Sequence, residues 1–430
     1  MMSVPRALCR VPGQVGLPAA AALAAEVGAW GFVLVLVLGF SPGSAAAQVA
    51  VHGETVYTMA GAPIKAGVVL VGANGKIERV GPASDVRVPD GYKALRAKVV
   101  TPGLVDAHSV VGLAGYLNQP HDQMQLESST AIQPELRAVD AYNAQETLVQ
   151  WLRDHGVTTV HTGHAPAALV AGQTMIVKTA GDEVDDAVMV PLAAVAVTLG
   201  ADGLPGQGKS PGNISKAIAM LRGELLKARE YVDKQAGPAD KRPPRDLKLE
   251  ALGRVISKEI PLLVTAQRSH HILTALRLAK EFDVRLVLDG AAEAYLISDR
   301  VKESGFPVIL HPTMARAGGD LENMTMESAS LLRKAGIPVA LQSGYETYVP
   351  KTRVVLFEAA VAAANGLTFE QALGTVTIDA ARILGIDRRV GSLEAGKDGD
   401  LALFDGDPFE YTSHVTGVVI DGRVVSETAH

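Results

Sequence analysis

The chain has 430 residues, 48% of them hydrophobic and 20% charged, a balance that excludes a disordered polymer and supplies one large α/β domain with a small companion. A formal net charge of -6 gives no overall attraction to nucleic acid or to an anionic membrane, so a small or neutral partner is expected. The single cysteine is Cys9. It falls in the leader described next, so the mature chain is expected to lack both disulfides and a thiol nucleophile.

Residues 1–47 read as a signal peptide. Arg6 and Arg10 precede an apolar run from Trp30 to Phe40, and small residues follow at Ala45 and Ala47, where cleavage is expected. The run is about half of the roughly 20 apolar residues that span a bilayer, so no stable membrane span and an exported location, periplasmic or extracellular, are expected. Residues 48–100 are β-rich, with a hairpin signal at Asn74-Gly75 between two apolar runs. The same texture returns over 388–430 in "GDLALFDGDP" and "VTGVVIDGRVV", and the two ends are expected to combine into a small discontinuous β-sandwich.

Between them, over 101–387, apolar runs alternate with helical stretches, the pattern of parallel sheets and barrels. Eight strands are expected: Val99 to His108, Thr158 to His161, Thr174 to Lys178, Leu192 to Leu199, Leu262 to Gln267, Arg285 to Asp289, Val308 to His311, and Val339 to Ser343. Eight strands with intervening helices predict a (β/α)8 TIM-type barrel. One of those helices, "SHHILTALRLAKEF", is expected to take Ser269 as its N-cap, with His270 and His271 toward solvent. An insertion at about 201–246, containing the charged "LRGELLKAREYVDKQ", is expected to be a solvated excursion after strand four. Within it "GLPGQGKS" satisfies a phosphate-loop pattern, but Pro211 and Gly212 break the helix that pattern requires. The acids of "GDEVDDA" lack the spacing and glycine of a calcium loop.

Several stretches resemble the amidohydrolase superfamily, in particular its imidazolonepropionase-like members. They are "VVTPGLVDAHS", "GVTTVHTG", "AGQTMIVKTAG", "ILTALRLAKEF" and "AARILGIDRRVGSLEAGKDGDLALFDGDP". The resemblance implies a metal-dependent barrel hydrolase of non-peptide carbon-nitrogen bonds with a β-sandwich built from both chain ends. It also implies two histidines after strand one, a lysine or glutamate at strand four, a histidine each at strands five and six, and an aspartate at strand eight. Here His108 fills the first place and Val110 the second, strand four offers neither group, Thr265 (with Gln267 two further on) and Gly290 stand at strands five and six, and Gly344 or Ser343 at strand eight. A catalytic zinc needs about three protein ligands. It also lowers the pKa of its bound water from about 15.7 toward 7, so without it the family's nucleophile is lost.

Polar groups nonetheless stand at strand ends, where such barrels carry their active sites. The candidate catalytic residues are His108, His161, His311 and Lys178, and the candidate substrate-binding residues are His164, Arg268, Glu293, Tyr295 and Glu346. Convergence of His108, His161 and His311 would make a relocated zinc site; otherwise no cofactor is expected and these are hydrogen-bonded pocket histidines. In a metal-free acid-base alternative His108 or His311 moves the proton while Lys178 or Arg268 stabilises an anion, unless those two cations merely form ion pairs. Two functions follow: a hydrolase with a relocated or metal-free acid-base site, or an inactive descendant that binds a small molecule or a partner.

Overall fold

The computed structural model describes residues 48–117, 119–206, 208–313, 317–345 and 355–430; the expected leader at 1–47 and the candidate Glu346 lie outside them. The chain begins with β1 (Val49–Val56), β2 (Ile64–Val71), β3 (Ile77–Pro82) and β4 (Lys93–Pro102). Period-two alternation sends Val49, Val51, Val69 and Val71 to one apolar cluster and Ala50, Val68 and Leu70 to another. Eight further strands follow: β5 (Leu104–Ser109), β6 (Val157–Thr162), β7 (Val170–Lys178), β8 (Val188–Thr198), β9 (Leu262–Ala266), β10 (Leu286–Gly290), β11 (Val308–Leu310) and β12 (Val339–Leu341). The chain closes with β13 (Leu401–Phe404), β14 (Val415–Ile420) and β15 (Arg423–Ser426). Both chain ends meet in one continuous sheet, ordered β15-β14-β13-β4-β1-β2-β3, because β4 pairs in parallel with β1 and offers its other edge to β13.

Strands β5 to β12 lie side by side in chain order, and the sheet nearly closes where the Gly344 amide donates to the His108 carbonyl at 3.2 Å. One strand departs from the expected barrel. β7 runs antiparallel to both β6 and β8, since the few residues joining these three strands are too short for a parallel crossover. Its C-terminal end therefore lies away from the barrel mouth. Inside, Ile176, Ala194, Leu263, Val287, Ile309 and Ala340 form an apolar layer, and Ala380, Ala381, Ile386 and Val390 pack against it from below. Their alternates Leu262, Val264, Leu286, Leu288, Val308, Leu310, Val339 and Leu341 face the surrounding helices.

The charged insertion is a barrel helix rather than a solvated excursion. Ile214–Gln235 places Ala217, Ile218, Leu221, Leu225 and Ala228 in the main core and buries Tyr231 as well, a stripe at helical spacing that its charged face obscures. The helix opens on Asn213, whose side chain accepts from the Lys216 amide at 2.9 Å. On the helix Ser269–Phe282 the N-cap is Arg268, with Ser269 already helical, and His271 is buried rather than solvent-facing, its ring 4.0 Å from that of His270.

Candidate active site

On β9 and β10, and directly after β12, the next inward position beyond the apolar layer is polar: Thr265, Asp289 and Gln342, with His108 on β5. All four meet at the Asp289 carboxylate. Its Oδ1 accepts from His108 Nδ1 at 2.9 Å and from Gln342 Nε2 at 2.9 Å, and its Oδ2 accepts from Thr265 Oγ1 at 2.6 Å. A carboxylate only accepts, so this pairing assigns the proton to Nδ1 of neutral His108 and leaves Nε2 with its lone pair. That Nε2 is buried without a hydrogen-bond partner. His108 lines a cavity of about 50 Å³ at the mouth, with Ser109, Val110, Gln267, Gly344 and Tyr345 among its walls.

Burial disfavours the His108 imidazolium, but the carboxylates of Asp289 and Asp106 outweigh it and raise the pKa above the ordinary 6.5. Burial also works against the Asp289 anion; the charge and hydrogen bond of His108, then Thr265 and Gln342, hold its pKa below the usual value nevertheless. One turn of the pleat away, burial pushes Asp106 up to about 7, although it accepts from the Ser343 hydroxyl and amide and from the His108 amide.

The other candidates lie elsewhere or are engaged. The His161 ring is 5.5 Å from that of His108, but its Nδ1 donates to the Ala107 carbonyl at 2.7 Å and its Nε2 pairs with the Thr174 hydroxyl at 2.7 Å. Burial, then the neighbouring His108 charge, drives its pKa down to about 3, so it stays neutral. His311 donates from Nδ1 to the Pro312 carbonyl at 3.1 Å, and its buried Nε2 is unpartnered, but the residue is not a wall of the mouth cavity. His164 is buried with an unpartnered Nδ1 and also lies outside that cavity. Lys178, expected at the mouth, sits at the opposite end because β7 is reversed, and its Nζ contacts Asp400 at 2.6 Å, Asp421 at 2.8 Å and Asp398 at 3.0 Å. Arg268, Glu293 and Tyr295 tie down the segment after β11 instead of facing the cavity. Arg268 pairs with Asp320 at 3.2 Å and Glu322 at 2.8 Å, Glu293 accepts from Asn323 Nδ2 at 2.8 Å, and the Tyr295 hydroxyl donates to the Asn323 carbonyl at 3.0 Å.

The family's metal does not fit this donor set. Val110 is packed against Ala114 and Ala165, and the Thr265 hydroxyl is committed to Asp289. At Gly290 (φ +75°) an added Cβ would lie 2.3 Å from Gln267 Nε2, and at Gly344 (φ +72°) 2.3 Å from Pro312 Cγ, so neither place has room for a ligating side chain. Among the described residues no group of three or more histidine, cysteine, aspartate or glutamate side chains is placed to hold a metal ion, the three histidines of the relocated site included. Sequence reasoning missed Asp289 and Gln342 as site residues. The signal available was register: inward-facing Val287 implies Asp289, not Gly290, at the next inward step.

A family model for the Amidohydrolase family matches residues 286–426. The crystal structure of an amidohydrolase from Thermotoga maritima superposes with a TM-score of 0.83 at 30% identity, covering 88% of this chain and all (100%) of that one. The imidazolonepropionase of Rhizobium rhizogenes is 24% identical over 384 residues, 83% of this chain and 90% of that protein. The amidohydrolase tasK of Hapsidospora irregularis is 24% identical over 389 residues, and the match spans 38% of that longer protein.

Proposed function

The chain belongs to the amidohydrolase superfamily as an imidazolonepropionase-like member, and on that premise we propose that it hydrolyses a carbon-nitrogen bond of a small, non-peptide amide by metal-free acid-base chemistry at His108. The observation that carries this reading is the buried, unpartnered Nε2 of His108, a residue that Asp289 orients and that lines the mouth cavity. In this reading Nε2 takes a proton from water as its oxygen bonds to the amide carbon. The resulting imidazolium is stabilised by Asp289, and the same proton passes to the leaving nitrogen as the carbon-nitrogen bond breaks. Asp289 is a positioning residue; Thr265 and Gln342 keep its carboxylate in place by their hydrogen bonds.

The test is turnover by the purified chain across a panel of small amides, lactams and esters, with elemental analysis of the same preparation. Turnover independent of added or bound divalent metal and abolished in His108→Ala supports the proposal. Activity that tracks a stoichiometric metal overturns it. A second reading, a catalytically inactive descendant of the fold, is favoured by one observation. The mouth cavity is about 50 Å³, well below the roughly 300 Å³ at which ligand pockets begin. Absence of turnover across the whole panel supports that reading. The leader read at residues 1–47 adds the proposal that the protein acts outside the cytoplasm, to be checked by fractionation of cells expressing the full chain.

A further inference from the structure

A second cavity, of about 210 Å³, enters the barrel from the end opposite the mouth. It is framed by residues that precede or open the parallel strands, Glu259 to Pro261 before β9 and Arg285 before β10, and by Ile383 to Gly385. Its walls rise along Ala194, Leu263, Val287 and Ile309, and His161 also borders it. Barrels of this type normally fill their interior with bulky branched side chains in layers. Here the interior position on β8 that borders the cavity is Ala194, whose small side chain leaves space at this wall. It exceeds the roughly 150 Å³ of apolar cavities that stay dry and admit benzene.

The rim carries a charge. Arg285 is exposed, and its Nη1 donates to the carbonyls of Lys258 at 3.4 Å and Glu259 at 3.3 Å; it makes no ion pair with any carboxylate among the described residues. The one acid of the rim, Glu259, is already paired with Arg254 at 3.0 Å. Apolar walls at Ala194, Leu263, Val287 and Ile309 beneath an unpaired, anchored guanidinium match an aliphatic tail with a single anionic head.

We propose that this lower cavity is a binding site for a short-chain aliphatic monocarboxylate, its tail among Ala194, Leu263, Val287 and Ile309 and its carboxylate on Arg285. The site is separate from the His108 cavity, and its test does not depend on any turnover.

The experiment is calorimetric and NMR titration of the full chain with hexanoate, and with hexanol as the uncharged comparator. Saturable hexanoate binding is expected, weakened about tenfold or more in Arg285→Gln, abolished in Ala194→Leu and retained in His108→Ala. Arg285 is exposed, so Arg285→Gln tests the head group even if the bulkier Ala194→Leu disturbs folding. Absence of hexanoate binding, equal binding of hexanol, binding unaltered by Arg285→Gln, or binding lost in His108→Ala overturns the proposal.

Discussion

At the scale of single residues, Asp289 does for His108 what an orienting carboxylate does in a catalytic triad: it fixes the tautomer and stabilises the imidazolium. Asp289→Asn removes that charge. The kcat/KM of the hydrolysis proposed above is expected to fall by about 10²–10⁴-fold. The acidic limb of its pH profile should also move to lower pH, because the His108 pKa is raised largely by this carboxylate. Titration of the His108 ring by NMR checks the second effect, and an unmoved pKa would refute it. Asp106 gives a prediction for stability. Its folded pKa, raised to about 7, means that its stabilising contribution is complete below its ordinary 3.8 and is lost as pH rises through about 7. Raised His108 acts in the same sense, present below 6.5 and lost above its folded value. Asp106→Asn cannot ionise, so its unfolding free energy in urea should decline less than that of the parent between pH 4 and pH 7, by up to on the order of 4 kcal/mol.

At the scale of elements, what was legible in the sequence was what depends on local pattern. Alternating apolar runs located the eight barrel strands because each inward side chain has an outward partner two faces apart, as Val287 and Leu288 show. Direction was not legible. Nothing in the residues of β7 distinguishes a parallel from an antiparallel strand; only the length of its connections does, and that error carried Lys178 to the wrong end of the barrel. A one-residue choice of register at β10 hid Asp289 behind Gly290, and the convergence of Thr265 and Gln342 on it is a tertiary fact that no local pattern encodes. Charge concealed the core stripe of Ile214–Gln235. For that helix the structure makes a direct prediction. Leu225→Ala, at a fully buried position, should cost about 2–5 kcal/mol. Asn213→Ala, which loses the cap to Lys216, should cost about 1 kcal/mol, and the exposed Lys234→Ala close to nothing. Urea denaturation of the three variants checks the order; a Leu225→Ala loss no larger than that of Lys234→Ala would return the segment to a solvated excursion.

At the scale of the whole molecule, the Lys178 cluster is the polar joint between the barrel and the sheet made from both chain ends. Lys178 closes β7 of the barrel, whereas Asp398, Asp400 and Asp421 come from the C-terminal segment that builds the sheet, and Lys76 of the N-terminal part also reaches Asp398. Arg389 adds a third cation on Asp398, at 2.9 Å. Lys178, Asp398 and Asp400 are almost wholly buried, so each charge depends on the others for the solvation it has lost. Burial opposes charge on Lys178, but its three carboxylates win and raise its pKa. Burial likewise opposes the Asp398 anion, and Lys178, Lys76 and Arg389 together bring its pKa down to about 2. A depressed carboxylate stabilises the fold above its ordinary 3.8, and that contribution is lost as pH falls through about 2. Asp400 keeps a raised pKa because its burial outweighs Lys178. Removing the cation strands these acids, so Lys178→Ala should lower the unfolding free energy by about 3–5 kcal/mol at neutral pH. It should also raise the pKa values of Asp398 and Asp400, so that the variant recovers stability relative to the parent as pH falls from 7 toward 4. Parallel denaturation curves at these two pH values test it: a deficit that stays constant with pH would mean that Lys178 contributes packing rather than charge at this joint.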